Sequence, residues 1–211
     1  MQNPKIDYSK RGIEERKKKM LDLFLGPGNN NIIDLGCGCA NYSPILAKKV
    51  KFVLCIDLSA DLCKITNEIG FDVIRADGMH LPLRDKMFDA IWASEVIEHL
   101  PSLASFGEFE RVAKKYVIAT VPNPSGPNFK VDPTHILNFT ISNLKKYLKN
   151  RKQWKYRVIG IGVEWPAAPY RLKIPKFLVL ASFYFTLDLP WVAPTVGIVG
   201  KTINPTRKNL K

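Results

Sequence analysis

The stretch Ile32-Ile33-Asp34-Leu35-Gly36-Cys37-Gly38-Cys39-Ala40-Asn41-Tyr42 constrains the fold more than any other part of the chain. Its apolar, β-branched start reads as a buried strand, and Gly-x-Gly cannot continue one. Downstream, Ser43-Pro44-Ile45-Leu46-Ala47 reads as the first turns of a helix, with Pro44 near its start, where a missing N–H is harmless. A strand, a glycine turn and a helix make the first half of a βαβ unit. Glycines in that turn adopt backbone angles closed to other residues and let a ligand approach the chain closely.

Two classes of nucleotide ligand use such a turn. Phosphate-binding dinucleotide folds want Gly-x-Gly-x-x-Gly, with the pyrophosphate on the helix N-terminus. Here Asn41 stands where the third glycine would be, and Asp34, just before the first glycine, would repel a diphosphate. An acid suits a ligand with a cationic group. S-adenosylmethionine (SAM) has an α-ammonium, a sulfonium and no phosphate. The pattern Asp34-x-Gly36-x-Gly38-x-Ala40 resembles motif I of the class I SAM-dependent methyltransferases, of the methyltransferase type 11-like kind. It departs from the family at Ala40, where a third glycine is usual.

Asp57 closes a second predicted strand, 51–56, about 20 residues past the glycine turn, where doubly wound folds put a carboxylate on the ribose hydroxyls. A carboxylate accepts two hydrogen bonds from a vicinal diol. The plainer alternative is that Asp57 caps the following helix, 60–69; the spacing from Gly36 favours the ligand role, with Leu58 near the adenine. After a third strand, 73–75, the loop carrying Asp77 and Gly78 resembles the one whose acid takes the adenine amine in the family. Leu81-Pro82-Leu83 and Phe88-Asp89-Ala90-Ile91-Trp92-Ala93-Ser94 continue the match, with Ser94 at the tip of a fourth strand beside the cofactor. The order of these elements is what makes the resemblance specific. It runs on through a fifth strand, 117–123.

The resemblance implies an α/β, Rossmann-like, seven-stranded, mostly parallel sheet with a C-terminal antiparallel hairpin and helices on both faces. Residues 1–211 then form a single methyltransferase domain: an N-terminal helix within 1–28, a SAM-binding core at 29–150, and a hairpin at 151–211 with an apolar insert at 174–189. SAM, which leaves as S-adenosylhomocysteine, would be held by Asp34, Gly36, Gly38, Asp57, Leu58, Asp77, Gly78 and Ser94.

Glu95-Val96-Ile97-Glu98-His99-Leu100 follows the fourth strand. If a helix begins near Ser94, Glu95, Glu98 and His99 share one face and form half a shell for a divalent metal. Glu-x-x-Glu-His with a later histidine resembles two methyltransferase branches, those that O-methylate ubiquinone precursors and those that 2′-O-methylate small RNAs. The implied ligands are Glu95, Glu98, His99 and His135, and the implied role of the metal is to lower the pKa of an acceptor hydroxyl. Without a metal, His99 or His135 is the candidate general base.

The formal net charge of +13 favours an anionic partner, a nucleic acid or a lipid surface, unless it serves solubility alone. Cys37, Cys39, Cys55 and Cys63 lack the second pair of a structural zinc site and read as reduced, packed thiols of a cytoplasmic protein. Residues 1–19 are too polar for a secretory signal, and the apolar run 177–187 is shorter than the roughly 20 residues a membrane span needs. The insert at 174–189, with basic flanks, suits an acceptor lid or peripheral membrane contact. The run Arg16-Lys17-Lys18-Lys19 reads as a solvated helix face, and Trp154 and Tyr156 as core residues on a sixth strand at 155–163. These readings converge on methyl transfer, with oxygen of a small hydroxylated or lipid-like acceptor ahead of an RNA ribose. A non-catalytic SAM-fold binding protein is the rival from outside enzymology. The oligomeric state stays open.

Overall fold

The computed structural model describes residues 15, 17–22, 25, 28–125, 129, 132–161, 193 and 195–203. The glycine turn separates β1 (Asn31–Leu35) from a short helix α1 (Ser43–Ala47), as the sequence pattern requires. The chain continues through β2 (Phe52–Asp57), α2 (Ala60–Glu68), β3 (Val73–Arg75), β4 (Phe88–Ser94), α3 (Ser105–Val112) and β5 (Ala113–Pro122). After α4 (Ile141–Lys149) come β6 (Trp154–Ile161) and β7 (Thr195–Thr202).

The strands form one seven-stranded sheet in the order β3-β2-β1-β4-β5-β7-β6. Pairing is parallel from β3 to β5, and β7 runs antiparallel to both β5 and β6. This is the Rossmann-like arrangement expected. Parallel strands are buried on both faces, which explains their uninterrupted apolar runs. Ile33, Leu35, Ile91 and Ala93 face the core that α3 and α4 cover with Phe106, Phe109, Leu144 and Leu148. Ile32, Ala90 and Trp92 face a second core that α1 covers with Leu46. The chain leaves β1 in one direction through β2 and β3, then returns to β4 on the other side. Such a reversal opens a crevice at the carboxyl ends of the two central strands.

The structure corrects several expectations. No helix starts at Ser94: Glu95 has φ of 55°, and only a single 3₁₀ turn, Ile97–His99, follows. The Glu95 N–H instead donates to the Thr120 carbonyl at 2.8 Å, extending the ladder with β5. β5 begins at Ala113 rather than Val117, directly after α3. The Lys115 ammonium is tolerated there because it reaches Asp89 at 3.1 Å and the Gly28 carbonyl at 2.6 Å. Lys17 is not on a solvated face: it is only 5% exposed and pairs with Glu95 at 3.1 Å. All four cysteines are free; Cys37 and Cys55 are buried, whereas Cys39 is exposed.

Trp154 and Tyr156 pack against the core, as alternation predicts. The apolar insert at 174–189 and the basic tail at 207–211 lie outside the described residues. Among the described residues, no helix is long and apolar enough to cross a membrane.

Candidate cofactor and catalytic site

At the carboxyl ends of β1, β2 and β4 lies a cavity of about 370 Å³. The chain leaves β1 through Gly36 (φ 65°) and Gly38 (φ 55°), and the N–H groups of Gly36 and Cys37 both donate to the Ile56 carbonyl, at 2.7 and 3.1 Å. That pair of bonds folds the turn over the end of β2. Asp57 is its anchor: Oδ2 accepts the Gly38 N–H and Oδ1 accepts the Ser59 N–H, both at 2.9 Å. Ser59 in turn caps α2 by accepting the Leu62 N–H. The cap of α2 is thus Ser59 rather than Asp57, and the anchoring role of Asp57 is compatible with a ligand role, since each carboxylate oxygen keeps a further lone pair. Ala40 sits at φ 59°, the left-handed geometry that the family's glycine adopts freely and that costs other residues about 1 kcal/mol.

Of the residues the sequence assigned to SAM, Gly36, Gly38, Asp57, Leu58, Asp77 and Gly78 line the cavity. Asp77 Oδ1 accepts the Met79 N–H at 2.8 Å, which fixes its loop. Leu58, 63% exposed, offers an apolar lip. Asp34 and Ser94 do not line the cavity. Asp34 lies beneath the turn, buried, with the Ser43 hydroxyl donating to Oδ2 at 2.6 Å. Burial pushes its pKa up to about 7, against the pull of the Ser43 hydroxyl and with a further push from the Asp57 charge. There it supports the start of α1. Ser94 Oγ bonds to Thr120 Oγ1 at 3.0 Å and accepts from Lys17. Sequence reasoning missed Leu62, Val96 and Leu100 in the lining; they are apolar residues whose only signal is proximity to the motifs. The cavity matches SAM in kind: a glycine turn for close backbone approach, a carboxylate for a diol, and leucines for a flat ring.

Beside the cavity, Glu98, His99 and His135 bring ligand atoms within 4.8 Å of one another. The loop carrying His135 is clasped to the 3₁₀ turn by the Leu137 N–H, which donates to the Glu98 carbonyl at 3.0 Å. The two imidazoles meet edge to face with centroids 4.9 Å apart. His135 Nδ1 faces the Phe129 carbonyl at 2.7 Å, and His99 Nδ1 faces the Thr134 carbonyl at 3.1 Å. A carbonyl only accepts, so in the neutral ring His135 Nδ1 carries the proton and Nε2 the lone pair. His99 Nδ1 is also 3.1 Å from the Thr134 hydroxyl, which donates to Asp132, so the same tautomer serves there. Glu95, the fourth ligand implied by the resemblance, is not in this group. Its positive φ turns the carboxylate to Lys17 and to the Thr120 hydroxyl, which donates at 2.8 Å.

Glu98 is fully buried, and neither carboxylate oxygen has a hydrogen-bond partner. Burial, with a smaller push from the Glu95 charge, raises its pKa from 4.5 to about 8. The folded state therefore holds a proton that the unfolded state loses above pH 4.5, and stability drains away as pH rises from there through 8. Glu98→Gln is expected to stabilise the metal-free protein by up to about 5 kcal/mol above the folded pKa and to leave it nearly unchanged at acid pH. Urea melts in chelator at the two extremes check this. Equal gains at both would show that the carboxylate is not neutralised by burial.

The family described as methyltransferase domain matches residues 33–119. The chain carries a class I SAM-dependent methyltransferase domain. Demethylmenaquinone methyltransferase of Corynebacterium urealyticum is 30% identical over 118 residues, covering 54% of this chain and 51% of that protein. The tRNA (carboxymethyluridine(34)-5-O)-methyltransferase of Arabidopsis thaliana is 34% identical over 101 residues, covering 45% of this chain and 24% of its own length. The chain thus spans about half the length of the first relative and less of the second. The crystal structure of a SAM-dependent methyltransferase from Archaeoglobus fulgidus shares the fold of this methyltransferase domain, with a TM-score of 0.63 at 20% identity over 89% of this chain and 93% of that one.

Proposed function

We propose that the chain methylates an oxygen of a small hydroxylated or lipid-like acceptor. The observation that carries this reading is the pair of imidazole lone pairs set beside an orphaned buried carboxylate at the edge of the cofactor cavity. Bound SAM supplies an activated methyl group, so the protein's tasks are to align the acceptor oxygen and to take its proton. His99, which lines the cavity, and His135, locked in one tautomer by the Phe129 carbonyl, each offer an Nε2 for that proton. Asp57 and the glycine turn hold the donor still.

The same group fits a divalent cation. Glu98 has no partner to offset its buried charge, and two neutral imidazoles complete a three-ligand set that leaves positions for acceptor oxygens. A cation held by Glu98, His99 and His135 would lower the pKa of an acceptor hydroxyl. An RNA ribose is the second reading, favoured by a basic groove at the β6 edge of the sheet. The tRNA-methylating relative is in keeping with an RNA acceptor, though its named oxygen is on a carboxymethyl group, and the demethylmenaquinone relative is in keeping with a lipid-like acceptor.

Transfer of labelled methyl from SAM into fractionated cell extract tests the proposal. Label in the organic-soluble fraction, lowered about 10²–10³-fold by His135→Ala, is the expected result. Label that follows nuclease-sensitive RNA would replace the small acceptor with RNA. No label in any fraction would favour a binding scaffold. Activity unchanged by chelation would remove the cation and leave the histidines as bases.

A further inference from the structure

A second, larger cavity, of about 590 Å³, lies away from the cofactor site, between the end of α4 and the open edge of β6. Six cations line it: Lys145, Lys149, Arg151, Lys152, Lys155 and Arg157. All but Arg151 are exposed, and no acidic residue is among the described lining residues. Arg151 is held rigid by Glu110, with bonds of 2.6 to 3.0 Å, and Glu110 also accepts the Tyr156 hydroxyl. We propose that this groove docks the sugar–phosphate backbone of a nucleic-acid strand.

Charge on β6 alone has a simpler explanation. Lys155 and Arg157 sit on the last strand of the sheet, and edge charges deter pairing with another sheet. That account does not reach α4, whose Lys145 and Lys149, with Lys152 in the following turn, converge on the same cavity. A row of cations along a concave channel follows a phosphate backbone, and the chain's formal net charge of +13 adds long-range attraction. A bilayer would meet a convex, apolar surface. Here Leu148 and Trp154 are buried, and Ile203 alone of the lining apolar residues is exposed. With Trp154 in the core, the groove has no free tryptophan face for base stacking, so recognition rests on phosphates and is independent of base sequence. Lys155 is level with Lys201, Tyr116 and Ala90. The groove therefore lies three strand spacings, about 14 Å, across from β4 and toward the amino ends of the parallel strands, away from the cofactor crevice at their carboxyl ends. The inference does not depend on which acceptor is methylated.

Fluorescence anisotropy of the full chain with a labelled uridine oligonucleotide tests it. Binding that weakens between about 50 and 200 mM salt, with a log–log slope near −0.7 for each phosphate neutralised, is expected. Lys149→Glu/Lys152→Glu/Lys155→Glu should cut affinity at least about tenfold and flatten the slope by about 2. Lys48→Glu/Lys51→Glu/Lys64→Glu makes the same change in net charge through exposed lysines on the opposite half of the sheet, and should cost about threefold or less. If the triple groove variant melts early, Lys152→Glu and Lys155→Glu taken singly decide, each expected to lose about threefold. Equal losses in the groove and control variants, no binding at low salt, or groove-dependent binding to phosphatidylglycerol vesicles instead of the oligonucleotide would each overturn the proposal.

Discussion

Gly36→Ala is expected to lower the melting temperature by about 10 °C and to remove measurable binding of S-adenosylhomocysteine. A methyl group added at Gly36 would lie 2.3 Å from Val96 Cγ2, far inside contact distance. Val96 is itself nearly buried and β-branched, so it has no flexible end to swing away. The backbone cannot retreat either, because the Gly36 N–H is bonded to Ile56 at 2.7 Å. To this overlap, worth about 1–3 kcal/mol, is added the left-handed φ of 65°, worth about 1–2 kcal/mol more. Gly38 shares the positive φ but has nothing within 4 Å of an added methyl. Gly38→Ala should therefore lose only about 1–2 kcal/mol. Shaving the neighbour in Gly36→Ala/Val96→Ala should recover part of the loss, since the overlap goes and the φ cost stays. Calorimetry of the four proteins is the check. A Gly36→Ala melt within about 2 °C of wild type would show that the turn yields where it is expected to be rigid.

Asp57→Ala should raise the Kd for S-adenosylhomocysteine by about 10²–10³-fold by titration calorimetry. Two charge-assisted bonds to a ribose diol account for about 3–4 kcal/mol, which is that factor. The variant also frees the N–H groups of Gly38 and Ser59, which Asp57 holds at 2.9 Å, so a smaller loss of stability of about 1–2 kcal/mol accompanies it. The two effects separate in Asp57→Asn. Its amide oxygen can still accept the Gly38 N–H, while its NH₂ accepts neither the Ser59 N–H nor a ribose hydroxyl. A stability loss smaller than that of Asp57→Ala, with binding weakened as much, would mark the ligand role. Full affinity in Asp57→Ala would reduce Asp57 to an anchor of the turn.

What the sequence disclosed follows from how locally each feature is determined. The strand before Gly36 is legible because parallel strands are buried on both faces and so read as apolar runs, and the sheet order follows from the family's resemblance. Asp57 is legible because it is set by its distance along the chain from the glycine turn. Glu95 is not. Its left-handed backbone comes from a bond to Thr120 and an ion pair with Lys17, partners far away in sequence, and no local pattern predicts either. The same contact hides Lys17, whose run of basic neighbours reads as solvated. The start of β5 is masked by Lys114 and Lys115, which look like a loop until Asp89 appears opposite. The basic end of α4 and the alternation of β6 are each visible; that they share a cavity depends on the strand order alone.

β7 is the last of the described strands in chain order and sits inside the sheet, between β5 and β6. While the chain is emerging, β5 keeps an open edge and β6 has no neighbour to pair with. The half that holds the cofactor crevice, β3-β2-β1-β4-β5, uses only residues up to Pro122 and can close early. Seating β6 must wait for Thr195–Thr202, through pairings that span long stretches of chain and form slowly. The pocket is thus an early structure and the basic groove a late one, so a small ligand can engage the growing polypeptide before the surface for a large anionic partner exists.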